Sequence, residues 1–230
     1  MSNFICAKRP GRLAEIVVLS LLCAQLTGGC AALRPETTPG APALYSLDYA
    51  RSKLPAAGSV KPDATASAPT LTLTPLRAAA GFDSRHIVYV QMPHKLDHFL
   101  HSEWVDTPAR MLTPLVVASI KSSGAFGAVV HTPSSAGGDL RLDLEILVLQ
   151  HEFNFQPSRV RFVLLAQLVE DKSRRVVASR EFEAVAPAPS ENPYGGVVAA
   201  NQAVSDALEQ LAVFCANVAS NWRPSDKFSK

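Results

Sequence analysis

Cys30 is the residue of this chain whose surroundings point most clearly to a chemical reaction. It follows Leu26-Thr27-Gly28-Gly29 at the end of a hydrophobic stretch, the arrangement of a bacterial lipoprotein cysteine, whose thiol receives lipid when a signal peptidase cuts the bond before it. Small residues before the cysteine suit a peptidase that accepts an extended chain. We therefore predict cleavage between Gly29 and Cys30 and a covalent lipid, carrying acyl chains such as palmitate, on Cys30.

The segment before Cys30 has the composition of a secretory signal. Lys8, Arg9 and Arg12 form a basic start, and residues 16–26 are apolar over about the length that a signal needs, too short to span a bilayer. We predict a lipoprotein signal peptide at residues 1–29. The alternative is an ordinary secretory signal cut near Ala24 or Ala32, which would leave a protein without an anchor.

Three histidines form the one cluster that could hold a metal ion. His94, His98 and His101 are spaced by four and three residues, so a helix would align their imidazoles, with Asp97 and Glu103 nearby. In an extended strand His98 and His101 would face opposite sides and the cluster would not form. The spacing matches no standard zinc motif, and we predict neither a metal site nor a cofactor.

The remaining cysteine is predicted to be structural. Cys6 and Cys23 leave with the signal and Cys30 carries lipid, so Cys215 has no partner for a disulfide. It lies on the apolar stripe of a predicted helix, where a small buried thiol is expected. A reactive thiol would need a nearby base or cation, which the adjoining sequence lacks.

Charge and motifs argue against several function classes. Removing residues 1–29 takes three of the 22 basic and one of the 20 acidic residues, which leaves 19 of each. A neutral chain gives no reason to expect nucleic acid. The sequence has no phosphate-binding Gly-rich loop with lysine, no Gly-x-Ser-x-Gly elbow and, after the signal, no apolar run of about 18 residues. We predict no catalytic residues.

The mature chain is predicted to hold one domain on a tether. Residues 30–43 are rich in Pro, Ala and Thr and read as a flexible tether, residues 44–220 as the domain, and residues 221–230 as a tail. Within the domain, residues 52–70 form a low-complexity loop. Alternating or short apolar runs predict about six strands, near residues 45–49, 71–76, 85–90, 140–148, 160–168 and 174–185.

Two helices complete the predicted fold. The first begins near Asp106 or Thr107 with Pro108 in its first turn, and Pro114 predicts a kink or a late start. The second begins at Asn192 and carries apolar residues at steps of three and four. Together the elements predict an α+β domain, with two main helices packed on a mostly antiparallel sheet of about six strands.

Three apolar residues are candidate contacts for a partner. Val163 and Leu165 fall on the face of their strand opposite the main apolar stripe, which suggests that a helix or another protein covers them. Trp104 is predicted to anchor the core, although an exposed Trp beside His101 would serve an interface equally well. An unpaired sheet edge could also accept a partner strand.

The order of these patterns resembles a known family. The cysteine motif, then Tyr45-Ser46-Leu47, then Tyr89 leading to residues 104–112, is similar to the ABC-type transport auxiliary lipoproteins. The strand from Leu140 to Phe153, the strand from Val160 before Glu170-Asp171, and residues 178–182 before the last helix follow the same order. The resemblance covers residues 44–218.

The resemblance implies a role without catalysis. It implies an envelope lipoprotein that works beside a mammalian-cell-entry (MCE) type substrate-binding protein, a permease and an ATPase in moving lipids between membranes, with homo-oligomers possible. Ala31 after the cysteine resembles the sorting pattern for the outer membrane, so the expected place is the periplasmic face of that membrane. Two other functions stay open: a periplasmic carrier with an acyl chain between sheet and helices, and a metal-dependent enzyme.

Overall fold

Residues 40–48, 68–133 and 137–224 are described by the computed structural model. The predicted signal, Cys30, almost all of the tether, most of the 52–70 loop and the end of the tail lie outside these ranges. Residues from Pro42 onward form one compact unit. The predicted α+β class is confirmed, but within the described ranges the sheet has nine strands instead of about six.

Three long strands form the antiparallel part of the sheet. They are β7 (Leu140–Glu152), β8 (Arg159–Glu170) and β9 (Arg175–Pro187). β8 pairs with β7 on one side and with β9 on the other along nearly its whole length. Apolar and polar residues alternate along these strands, so that one face of each is buried. The predicted hairpin between the last two strands is confirmed.

The second edge of β7 is shared by short parallel strands. These are β2 (Thr70–Leu73), β3 (Arg77–Ala78) and β4 (His86–Val90), which pair with β7 in that order from its start to its end. Beyond them, β6 (Ala128–His131) pairs with β2, β5 (Asp97–Trp104) pairs with β4, and β1 (Ala43–Tyr45) pairs with β5. The sheet is therefore mixed, with its longest pairings antiparallel.

Both predicted helices are present. α1 (Pro108–Ser122) follows Thr107 and continues through Pro114, and α2 (Pro193–Asn221) begins after Asn192, whose Oδ1 accepts a hydrogen bond from the Gly195 N–H at 2.9 Å. The asparagine cap and the proline after it favour a helix start at this position. Among the described residues, no helix has the length and apolarity needed to cross a membrane.

One hydrophobic core joins the helices to the sheet. The side chains of β7, β8 and β9 on one face belong to the same cluster as the buried stripe of α2 and the buried residues of α1. The members of the α2 stripe include Val197, Ala200, Val204, Leu208, Leu211 and Cys215. This core fixes α2 across the long strands and brings its first turns close to the ends of β4, β5 and β7.

Candidate interaction site

A groove runs between the chain around β1 and the first half of α2. Its volume is about 400 Å³, and it is lined by Leu44, Tyr45, Ser46, Asp48, Tyr194, Val197, Val198, Asn201 and Gln202. Leu44 is 53% exposed and Tyr194 61%, which is high for large apolar and aromatic side chains. Neighbouring exposed apolar residues commonly mark a binding surface.

Asn201 holds the two walls of the groove together. Its Oδ1 accepts a hydrogen bond from the Asp48 N–H at 2.8 Å, and its Nδ2 donates to the Ser46 carbonyl at 3.1 Å. A buried amide that satisfies two backbone groups of another segment fixes the position of that segment. The shape of the groove is therefore fixed by Asn201, a helical residue that the sequence analysis did not single out.

The strand beside the groove is an edge strand. β1 pairs only with β5 within the described residues, in a parallel register that sets Tyr45 opposite Trp104. Among the described residues, no strand pairs with the backbone groups on the other edge of β1. Such an edge can accept an added strand from another protein. The groove thus combines apolar side chains with backbone groups available for pairing.

Two of the residues predicted to contact a partner lie inside the molecule. Trp104 is 3% exposed and lies between the sheet and α2, where it borders a small cavity with Val160 and Ala200. Val163 is 2% exposed, and Leu165 is half-buried. Burial of Trp104 confirms its predicted place in the core. The alternative that Trp104 meets a partner and the expectation that Val163 does so are corrected, and Leu165 keeps only part of its surface.

An ion pair lies beside Val163 on the outward face of β8. Glu183 lies opposite Val163 in the register and binds Arg161, two residues earlier on β8, with 2.7 Å between Nε and Oε1. This hydrogen bond lowers the pKa of Glu183 and raises that of Arg161. The long stems of such pairs cover apolar side chains while their charges stay in water. An ion pair between the chain's own residues therefore lies on the face that was expected to need a helix or partner.

The histidine cluster does not form a metal site. Residues 97–104 are the strand β5, and the described residues contain no group of three potential metal ligands. His98 instead stacks on His86 with 4.1 Å between ring centroids. The two carboxylates are ion-paired, Asp97 with Lys95 and Glu103 with Arg85. The extended conformation separates the imidazoles as the period of a strand requires.

A polar cluster that includes a buried histidine and a buried serine lies at the end of β7 beneath the start of α2. His151 Nε2 is 2.8 Å from Ser158 Oγ, and Glu191 accepts the Ser158 backbone N–H at 2.9 Å. The Ser158 side chain also bonds to Glu191, and these bonds lower the pKa of that carboxyl. Burial lowers the pKa of His151. Sequence reasoning missed this cluster because its members are seven and 33 residues apart and match no motif.

Ser158, His151 and Glu191 do not have the geometry of a catalytic triad. In a triad the carboxylate binds the imidazole nitrogen that faces away from the serine. Here the carboxylate binds the serine, while His151 Nδ1 has no hydrogen-bond partner. Ser158 is also completely buried, so its hydroxyl offers no access to a substrate. The cluster is a structural network, with one unsatisfied nitrogen.

Comparison with known proteins gives the family. The model of the family described as ABC-type transport auxiliary lipoprotein component matches residues 53–213. The chain belongs to this family. The resemblance noted in the sequence is therefore confirmed, and the chain is a member of a family of lipoproteins auxiliary to ABC-type transport.

Solved structures show that this auxiliary lipoprotein shares its fold with other proteins. It is similar to the crystal structure of protein XCC0632 from Xanthomonas campestris, with 23% identity, a TM-score of 0.61, and coverage of 66% of this chain and 86% of that one. A second crystal structure, of an uncharacterized protein, has 13% identity, a TM-score of 0.57, and coverage of 76% and 99%. A comparison with curated proteins gave no match.

Proposed function

We propose that this protein is a non-catalytic envelope lipoprotein that assists an ABC-type lipid transport system. In this proposal Cys30 carries the lipid, the domain faces the periplasm from the outer membrane, and it docks on an MCE-type substrate-binding protein. The family match supports the transport role, and the cysteine motif supports the anchor. The domain would contribute position and contact, and the transporter would contribute energy and the conduit.

The observation that carries the docking proposal is the groove between β1 and α2. Leu44, Tyr194 and Val198 are exposed along it, and beside them lies the edge of β1 that pairs with no other strand of the described ranges. Aromatic and aliphatic side chains around a shallow groove favour a protein segment over a small polar molecule. A strand of the partner could pair with β1 and place its apolar side chains against Tyr194.

The arrangement between sheet and α2 favours docking over carriage of lipid inside the domain. An acyl chain would need a continuous apolar cavity there. The cavity bordered by Trp104 and Gly196 measures about 10 Å³, and the larger space of about 360 Å³ between Val177 of β9 and the last turns of α2 is a groove open to solvent. The first volume is about that of a single water-sized probe and far too small for an acyl chain, and the second is a surface groove and not an interior cavity. The lipid is therefore proposed to travel through the partner proteins.

A crosslinking experiment with paired variants tests the proposal. The mature protein is recovered from its native envelope after crosslinking, and its partners are identified by mass spectrometry. Val198→Asp places a charge in the groove, and Val213→Asp places the same charge on a 62% exposed residue of the same helix outside it. A charge buried in an interface weakens binding strongly.

We expect wild type and Val213→Asp to recover an MCE-type protein with its permease or ATPase, and Val198→Asp to recover much less. If none of these components is recovered with the wild type in an otherwise efficient experiment, the transport role is refuted. If Val198→Asp and Val213→Asp recover the partner equally, the transport role stands and the groove is not the docking site.

A further inference from the structure

His151 is an unusual residue in the core because half of its hydrogen-bonding capacity is unused. The side chain is 2% exposed, and its ring lies 4.1 Å from the ring of Phe153 and 6.4 Å from that of Phe99. Nε2 is bonded to Ser158 Oγ, whereas Nδ1 is buried without a partner. Buried polar atoms without partners are uncommon, and each needs an explanation.

We place the proton of the neutral imidazole on Nε2, because this arrangement is consistent with the hydrogen-bond chain. An ionised carboxylate only accepts, so Glu191 receives both the backbone N–H and the hydroxyl proton of Ser158. The Ser158 oxygen is then free to accept, and it receives the N–H of His151 Nε2. His151 Nδ1 therefore carries a bare lone pair in the neutral protein.

That lone pair faces the first turns of α2. A methyl group on Gly196 would lie only 2.5 Å from His151 Nδ1, so the helix backbone approaches the imidazole as closely as glycine permits. The cavity beside them has almost entirely apolar walls and a volume of about 10 Å³. Water needs two or more polar partners to occupy such a space. A proton added at Nδ1 would therefore find no acceptor.

We propose that His151 is an acid-sensitive latch: the neutral imidazole holds the first turn of α2 against the end of β7, and gain of a proton at Nδ1 releases that turn and the groove it lines. The positive end of the helix dipole also opposes an imidazolium at this place. Gly195 and Gly196 weaken the turn that would move, since glycine disfavours helix. The effect on docking rests on the proposed function, but release of the turn does not.

The charges around the ring are few. Glu191, acting through Ser158, favours the imidazolium, and burial disfavours it more strongly. On β7 and β8, Glu152 and Arg159 are paired with each other at 2.8 Å. On β4, Tyr89 is the register neighbour of His151. From β5 and α2, the residues next to the His151 ring are Phe99 and Gly196, and both are uncharged.

The direction of the pH effect follows from linkage. The pKa of His151 is lower in the folded protein than the value of 6.5 for a free imidazole. The unfolded or released form therefore binds the proton more readily, so the contribution of His151 to stability is complete above that value and is lost as the pH falls below it. Acid should release the latch, and neutral pH should close it.

Amide hydrogen exchange in the first turns of α2 tests the latch. With exchange corrected for its intrinsic pH dependence, protection of residues 195–200 should be lost progressively as the pH falls from about 7.5 to about 5, because the lowered pKa means that the released form binds the proton more readily. Protection in the β7–β8 pairing should change little. His101→Gln, at an exposed histidine, should behave as wild type, and His151→Gln should lose the pH dependence.

A second measurement keeps the test decisive if His151→Gln does not fold. NMR of the wild-type imidazole follows its protonation directly. Protonation of His151 accompanied by loss of protection at residues 195–200 supports the latch, and unchanged protection at these residues over the whole range overturns it. Crosslinking to the partner at both pH values separates the two proposals. If the turn is released at low pH but no partner is recovered at either pH, docking is refuted and the latch stands.

Discussion

Asn201 shows how a single polar residue on an apolar helix face can define a site. It is buried, and it binds the backbone of Ser46 and Asp48, which form one wall of the groove. Replacing it with alanine leaves those backbone groups without their partners. An unsatisfied buried group costs about 1–3 kcal/mol, so we expect Asn201→Ala to lower the free energy of unfolding by about that amount.

Chemical denaturation measures this effect. Asn217→Ala, at an exposed position on the same helix, is the matched control and should change stability by less than about 0.5 kcal/mol. Equal losses in the two variants would mean that the helix, and not the bonds to β1, accounts for the effect. The same Asn201→Ala variant should also weaken recovery of the crosslinked partner, since the groove would lose one wall.

Cys215 should be chemically silent in the folded protein. It is completely buried in the α2 stripe, and burial raises the pKa of its thiol to about 12. Thiolate is the reactive form, so at about pH 8 only a trace is present. Treatment with iodoacetamide followed by peptide mass spectrometry should find Cys215 unmodified in the native protein and fully modified in denaturant. Rapid native modification would contradict the packing of α2 on the sheet.

At the scale of single residues, the sequence predicted the direction of a side chain better than its solvent exposure. The alternation in β8 indicated correctly that Val163 points away from the main core. Its neighbours on that face could not be predicted, because Glu183 and Arg161 come from different strands and form their ion pair only after folding. The polar cluster at His151 likewise combines three separate segments. Cys215 was predictable, because its place on the helix stripe depends only on local spacing.

Pro114 gives the clearest test at the scale of elements. The sequence predicted a kink or a late start, yet α1 extends from Pro108 to Ser122 with Pro114 inside it. Its missing N–H leaves the Arg110 carbonyl without its helical partner, and its ring crowds the preceding turn. Because Pro114 is exposed, Pro114→Ala should raise the free energy of unfolding by about 1–3 kcal/mol. Thermal and urea unfolding would measure the gain, and a loss of stability would mean that the proline is needed for the packing of α1.

Element length explains which strands the sequence predicted. β7, β8 and β9 have 12 or 13 residues each, so the period of two is repeated often enough to be recognised. β3 has two residues and β6 has four, too few for a period, and both depend on pairing with strands far away in the chain. β5 was open between helix and strand because the histidine spacing of four and three would align the imidazoles only on a helix and did not itself decide between the two. β3, β5 and β6 are therefore the three strands that the sequence did not predict.

At the scale of the whole molecule, the groove includes the first residue after the predicted tether. Leu44 lines the groove and follows directly after the predicted tether. Thirteen residues between Cys30 and Leu44 span at most about 45 Å when extended. An anchored domain would therefore hold the groove near one membrane, where the effective concentration of a membrane-bound partner is high.

Cys30→Ala separates anchoring from binding in this arrangement. Acyl chains on cysteine hold a protein at a membrane, each buried CH₂ contributing about 0.8 kcal/mol. We expect the variant to lose incorporation of radiolabelled palmitate and to move from the membrane to the soluble fraction.

The purified domain of the variant should nevertheless bind an isolated MCE-type partner as tightly as the wild-type domain does, because Leu44 and Tyr194 are unchanged. In the envelope the variant should recover less partner, since the effective concentration has fallen. Retention of Cys30→Ala in the membrane fraction without palmitate would contradict the anchor and indicate that the domain binds the membrane or its partner without lipid.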